Sequence, residues 1–151
     1  MEILAYDPYP NPNLDVTYVS LEELMKRSDI ISLHCPLTPE TEYMINQKTI
    51  GMMKKGVYLV NTSRGGLIDT EALIDGLLEK KFAGVGLDVY EEEADIFFQD
   101  YSGHIVEDDV LARLISMPNV IVTSHQAFLT NEALENIAEI TAQNLQEFFD
   151  T

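Results

Sequence analysis

Three groups of residues in this chain have types and spacing suited to joint chemistry. An arginine stands between an apolar run and two glycines in Asn61-Thr62-Ser63-Arg64-Gly65-Gly66-Leu67-Ile68-Asp69, three glutamates follow in Asp88-Val89-Tyr90-Glu91-Glu92-Glu93, and a histidine lies in Ser124-His125-Gln126. A guanidinium holds a carboxylate through two parallel hydrogen bonds. An imidazole gives a proton to a keto oxygen, and a carboxylate beside it orients the ring and favours its charged form. Those are the tools for reducing a 2-keto acid. Each residue also has a plainer reading: a surface arginine, a solvated acidic face, a histidine at a strand end. His34 and His104 take the plainer one.

Such residues need a scaffold that brings them to one place. Short apolar runs alternate here with helical patterns, which predicts a parallel sheet flanked by helices. The expected strands are residues 3–6, 17–19, 30–33, 57–60, 83–87 and 120–123. Ser20 followed by Glu23 reads as a capping box that opens a helix to Arg27. Asp69 is placed to cap a helix through Lys80, with Leu73, Ile74, Leu77 and Leu78 as its buried stripe. A last helix over residues 131–149, capped by Thr130, carries Leu134, Ile137, Ala138, Thr141, Leu145 and Phe148 at steps of three and four. In open parallel sheets ligands bind beyond the carboxyl ends of the strands. Asp7, His34-Cys35-Pro36, the residues from Asn61 to Arg64, Asp88 and His125 each directly follow an expected strand.

Four ordered motifs carry a family resemblance: His34-Cys35-Pro36-Leu37-Thr38, the run from Asn61 to Asp69, Gly86-Leu87-Asp88-Val89-Tyr90, and His125-Gln126-Ala127-Phe128-Leu129-Thr130. Together they resemble the NAD-dependent D-2-hydroxyacid dehydrogenases over residues 3–148. Residues 94–109 and Gln126-Ala127-Phe128 resemble the D-lactate dehydrogenase branch. The resemblance implies that Arg64 binds the substrate carboxylate, that Glu93 is the carboxylate partner and that His125 is the proton donor. It places Phe128 in the substrate pocket. Only the family register selects Glu93 from the three adjacent glutamates.

The same resemblance implies NAD as cofactor. Asp7 ends the first expected strand, where a carboxylate accepts the adenine-ribose hydroxyls; the next basic residue is Lys26, so nothing nearby suits the 2′-phosphate of NADP. By the resemblance, Cys35 and Pro36 line the adenine pocket, Thr62 and Ser63 contact the nicotinamide ribose, and Asp88 bonds the nicotinamide carboxamide. The plainer readings are a small buried cysteine, a loop start at Asn61-Thr62-Ser63 and a turn aspartate. A G-x-G-x-x-G turn, whose glycines let the backbone approach a pyrophosphate, finds no match. Gly84-Val85-Gly86 lies inside an apolar strand-like run.

The expected fold class is therefore α/β: a parallel, doubly wound, Rossmann-like sheet with flanking helices. It is incomplete, with residues 1–151 forming part of an NAD-binding domain whose first strand, glycine-rich loop and first helix are absent. The expected function is that of a D-lactate dehydrogenase fragment, inactive alone. Another D-2-hydroxyacid dehydrogenase, or a non-catalytic binding module on the same fold, is the alternative. In the order 3-2-1-4-5-6 the absent first strand would pair with both residues 3–6 and residues 30–33. Those strands should recruit other copies into a homo-oligomer or pair directly with each other.

Composition narrows the partners. Nine basic against 26 acidic residues, a net charge of −17, argue against nucleic acid and anionic membrane surfaces. The expected small-molecule partner is a 2-keto or 2-hydroxy acid, with no metal. A single cysteine permits no internal disulfide, no apolar run reaches the ~20 residues of a membrane span, and no signal peptide opens the chain. The expected location is the cytoplasm.

Overall fold

The computed structural model describes residues 1–92 and 108–149. Six strands, β1 (Leu4–Ala5), β2 (Thr17–Tyr18), β3 (Ile30–Leu33), β4 (Val57–Asn61), β5 (Phe82–Leu87) and β6 (Val120–Val122), fall on the six apolar runs. Five helices are described: α1 (Leu21–Arg27), α2 (Gln47–Met52), α3 (Thr70–Leu78), α4 (Asp109–Ser116) and α5 (Asn131–Phe149). Every strand pairing is parallel. β3, β4, β5 and β6 form one sheet in that order, and β1 pairs with β2 in a second. This is a Rossmann-like α/β fold.

Among the described residues, the strand that occupies the centre of a doubly wound sheet has no counterpart between β1 and β3. The two flanking strands do not close up on each other, which rules out the expected direct pairing. β1 stays joined to the rest of the chain by β2 and by Arg27, whose guanidinium reaches Glu2 at 2.8 Å and Glu23 at 2.6 Å. Glu23 is thus drawn to Arg27. Of the expected capping box only the Ser20 half is recorded, its side chain accepting from the Glu23 amide.

The core lies on one face of the large sheet. Ile31, Leu33, Val57, Leu59, Val85 and Leu87 are buried against Ile50, Leu73, Ile74 and Leu77 of the helices. α3 ends at Leu78, two residues earlier than expected, and Lys80 takes a left-handed backbone, φ 57°. Leu78 is exposed and leaves the predicted stripe. Gly76 lets α3 meet β5, since a Cβ there would stand 2.7 Å from the Phe82 ring. On the opposite face, Ile30, Tyr58 and Ile121 are exposed. A doubly wound sheet is buried on both faces; here the second face is only partly covered, with Val60, Gly84 and Gly86 half-buried.

α2 went unforeseen. It has six residues, too few to show a helical stripe, yet Asn46 and Thr49 form a complete capping box at its start. α5 is capped by Thr130, which accepts from the Ala133 amide at 3.2 Å. None of its residues is buried, and its apolar Leu134, Ile137, Ile140 and Leu145 are exposed.

Candidate active site

The carboxyl ends of β4, β5 and β6 carry the site, and a buried asparagine ties the first two together. Asn61, at the end of β4, is fully buried. Its Oδ1 accepts from the Ser63 amide at 3.0 Å and its Nδ2 donates to the Arg64 carbonyl at 2.9 Å, folding the turn that presents Arg64. Its own carbonyl accepts from the Asp88 amide at 2.9 Å. Gly65 is required next, because a Cβ there would stand 2.2 Å from the Tyr90 carbonyl carbon. The Arg64 side chain is exposed, and its Nη1 donates to the Ser63 carbonyl at 2.7 Å.

Asp88, after β5, is 5% exposed. Oδ1 accepts from the Thr123 hydroxyl at 2.5 Å and the Gln126 amide at 2.9 Å; Oδ2 accepts from the Ala127 amide at 2.8 Å. The His125 amide donates to the Asp88 carbonyl at 2.7 Å. One aspartate therefore shapes the whole turn after β6. Burial pushes its carboxyl up, but the donors Thr123, Ala127 and Gln126 and the nearby His125 outweigh that and hold it below the ordinary carboxylate value. His125 is half-buried with a left-handed backbone, φ 53°. Both oxygens of Asp88 are spoken for by this turn. The carboxamide role that the resemblance implies would need the remaining acceptor capacity of Oδ2.

The residues expected to bind the cofactor follow β1, β3 and β4. Asp7 follows β1, exposed, with Oδ1 accepting from the Tyr9 amide at 2.7 Å. The Ser63 hydroxyl donates to the Cys35 carbonyl at 2.7 Å, joining the turns after β4 and β3. The Cys35 thiol points its hydrogen to the Met44 sulfur at 3.5 Å, and burial raises its pKa, so it is held as a neutral thiol. Thr62 and Pro36 are exposed. An open carboxylate after β1 and small neutral side chains after β3 and β4 fit the adenosine and nicotinamide-ribose ends of a dinucleotide. The pyrophosphate has no glycine-rich turn among these residues.

Glu93, with residues 94–107 and His104, lies outside the described residues. Phe128 is 54% exposed, so this chain does not close a pocket around it. Among the described residues no group of three His, Cys, Asp or Glu side chains could hold a metal ion, and no helix is long and apolar enough to cross a membrane. Asn61 is the residue that sequence reasoning undervalued. Its signal was there: a polar residue ending an apolar strand and opening the arginine motif.

Comparison with known proteins bears on the family and the fold. Residues 1–127 match the model of the D-isomer specific 2-hydroxyacid dehydrogenase, NAD binding domain. A 2-hydroxyacid dehydrogenase homolog of Zymomonas mobilis is 53% identical over 149 residues, and the D-lactate dehydrogenase of Escherichia coli is 51% identical over 148; each match covers 96% of this chain and 45% of the relative. The solved D-lactate dehydrogenase of Aquifex aeolicus, complexed with NAD and lactic acid, superposes with a TM-score of 0.87 at 40% identity, over 99% of this chain and 46% of that one. The chain thus spans about half the length of the relatives it matches. It belongs to the D-isomer specific 2-hydroxyacid dehydrogenases, as an NAD-binding domain of that family.

Proposed function

We propose that these residues form the dinucleotide half of an enzyme that reduces a 2-keto acid to the D-2-hydroxy acid with NADH, with pyruvate and D-lactate as the pair. The observation that supports this most is the chain of backbone bonds from Asn61 through Asp88 to His125, which sets the arginine turn and the histidine turn on either side of β5. In this reading the Arg64 guanidinium clamps the substrate carboxylate. Glu93 accepts from the far nitrogen of His125 and favours the imidazolium, and His125 protonates the carbonyl oxygen. NADH, when bound, supplies the hydride. Asp7 would hold the adenine ribose, Cys35 and Pro36 would line the adenine pocket, and Thr62 and Ser63 would reach the nicotinamide ribose. Asp88 would bond the carboxamide while holding the His125 turn.

The domain assignment carries over as part of this proposal: residues 1–151 are a partial NAD-binding domain, acting in the cytoplasm within a homo-oligomer. The activity is expected only together with a substrate domain and a glycine-rich turn. Proximity and orientation are worth roughly 7 to 11 kcal/mol, and half the cleft that provides them is not made by these residues. NADH oxidation with a panel of 2-keto acids tests the proposal, run on this chain and on the same chain extended by the N-terminal part of the Escherichia coli relative. No measurable turnover is expected from the first and pyruvate reduction from the second. An inactive extended protein, or efficient turnover by the 151-residue chain, would refute it. A bulkier 2-keto acid as the best substrate is the second reading, and the open position of Phe128 favours it.

A further inference from the structure

The glutamate run contains a residue with a task of its own. Glu91 accepts from the Tyr43 hydroxyl through Oε1 and from the Thr70 hydroxyl, at 3.1 Å, through Oε2. These donors belong to separate parts of the chain. Thr70 is the first residue of α3. Tyr43 begins a short parallel pairing in which its amide donates to the Gly66 carbonyl at 2.9 Å and the Ile45 amide donates to the Leu67 carbonyl at 3.0 Å. The Tyr90 and Glu91 backbone also forms the surface on which Gly65 rests. So the turn that carries Arg64 is touched by Tyr43 on one side and by Tyr90 and Glu91 on the other, and the Glu91 carboxylate joins those two sides.

Tyr43 holds its place at a backbone cost. Its φ is 49°, in the left-handed region that a bulky side chain rarely adopts, and such strain persists where surrounding contacts fix it. Glu91 is exposed, so its bonds add little to folding. Strain on one side and weak stabilisation on the other leave geometry as the return. The carboxylate of Glu91, with the charges of Glu42 and Asp69, pushes the Tyr43 phenol up to about 12, so it remains a donor across the working pH range.

We propose that Tyr43, Glu91 and Thr70 form a clasp that fixes the Arg64 turn relative to the chain leading into Glu93, with Glu91 as a positioning residue. The inference rests on the 2-keto acid reduction proposed above. Each oxygen of Glu91 accepts one bond in the clasp, and in the reading above the partnership with His125 falls to Glu93.

The test uses the extended protein with Tyr43→Phe, Glu91→Ala and Glu91→Gln. Glutamine keeps the shape and drops the charge: its amide oxygen accepts from one hydroxyl, and its NH2 donates to the other, which rotates to accept. Tyr43→Phe and Glu91→Ala are expected to lower kcat/KM for pyruvate by roughly tenfold to a hundredfold and to move the basic limb of its pH profile to lower pH, as the His125 partner loses its place. Glu91→Gln should stay within about threefold of the parent. Parental behaviour of both Tyr43→Phe and Glu91→Ala, or a Glu91→Gln defect as large as that of Glu91→Ala, would overturn the clasp. If the extended parent itself reduces no keto acid, the enzymatic reading fails, and hydrogen exchange on the 151-residue chain decides the clasp separately. Faster exchange of the Tyr43 and Ile45 amides in Tyr43→Phe, with Val85 unchanged, supports it; unchanged exchange at all three overturns it.

Discussion

Arg64 and Asp88 differ in what each contributes, and their variants should separate accordingly. Arg64 is exposed, and its side chain supports only its neighbour's carbonyl. Arg64→Gln should therefore leave urea unfolding of the chain unchanged, while costing the extended enzyme about 3 kcal/mol in kcat/KM, the scale of a lost charged hydrogen-bond pair. Asp88 is buried and engages three donors. Asp88→Ala strands them and should destabilise the fold by about 2 to 3 kcal/mol. Its depressed pKa also fixes the sign of a pH effect. The stabilisation is present above the unfolded-state value, near the ordinary 3.8, and is lost as pH falls through the lower folded value. Acid unfolding followed by circular dichroism should show that limb in the parent and a flatter one in Asp88→Asn. Gly65→Ala, which drives a methyl into the Tyr90 carbonyl, should cost about 1 to 3 kcal/mol and loosen the arginine turn with it.

The central strands β3, β4 and β5 are legible because parallel strands that line a core read as apolar runs. All six were found where such a run occurs, and the caps at Ser20, Asp69 and Thr130 were equally plain. α2 was not, since its stability comes from the Asn46 and Thr49 box and a single buried Ile50 rather than from a long stripe. The end of α3 was misjudged because Lys80 continues a helix-compatible sequence while its backbone has already turned left-handed. At this scale the edges of β1 and β3 left unpaired among the described residues, the exposed Ile30, Tyr58 and Ile121, and the exposed apolar side chains of α5 motivate the proposed self-association. Ile30→Lys combined with Ile137→Glu should lower the mass measured by light scattering. A compact monomer in the parent would refute the expectation.

Across the whole molecule, charge works against that association. At −17 the copies repel one another at neutral pH, and salt screens the repulsion over about 10 Å at 0.1 M. Sedimentation should therefore show larger species in high salt than in low, and larger again as pH falls toward the isoelectric point near 4.2. The site shows a matching limit to what a sequence reveals. Arg64 and His125 were readable as types after strands. The bonds that hold their turns join Asn61 to residue 88 and Asp88 to residues 123–127, pairings between distant positions that no local pattern encodes. Tyr43 and Glu91, 48 positions apart, were hidden for the same reason.

The left-handed backbone of His125, φ 53°, sets the needs of folding and of chemistry against each other at one position. Any side chain with a Cβ carries a penalty of about 1 to 2 kcal/mol in that conformation, and glycine carries none. His125→Gly should accordingly unfold at higher urea than His125→Ala, the reverse of the order such a pair gives in a helix, although both lack the imidazole. In the proposed reading, the histidine at this position carries that penalty in return for a proton donor.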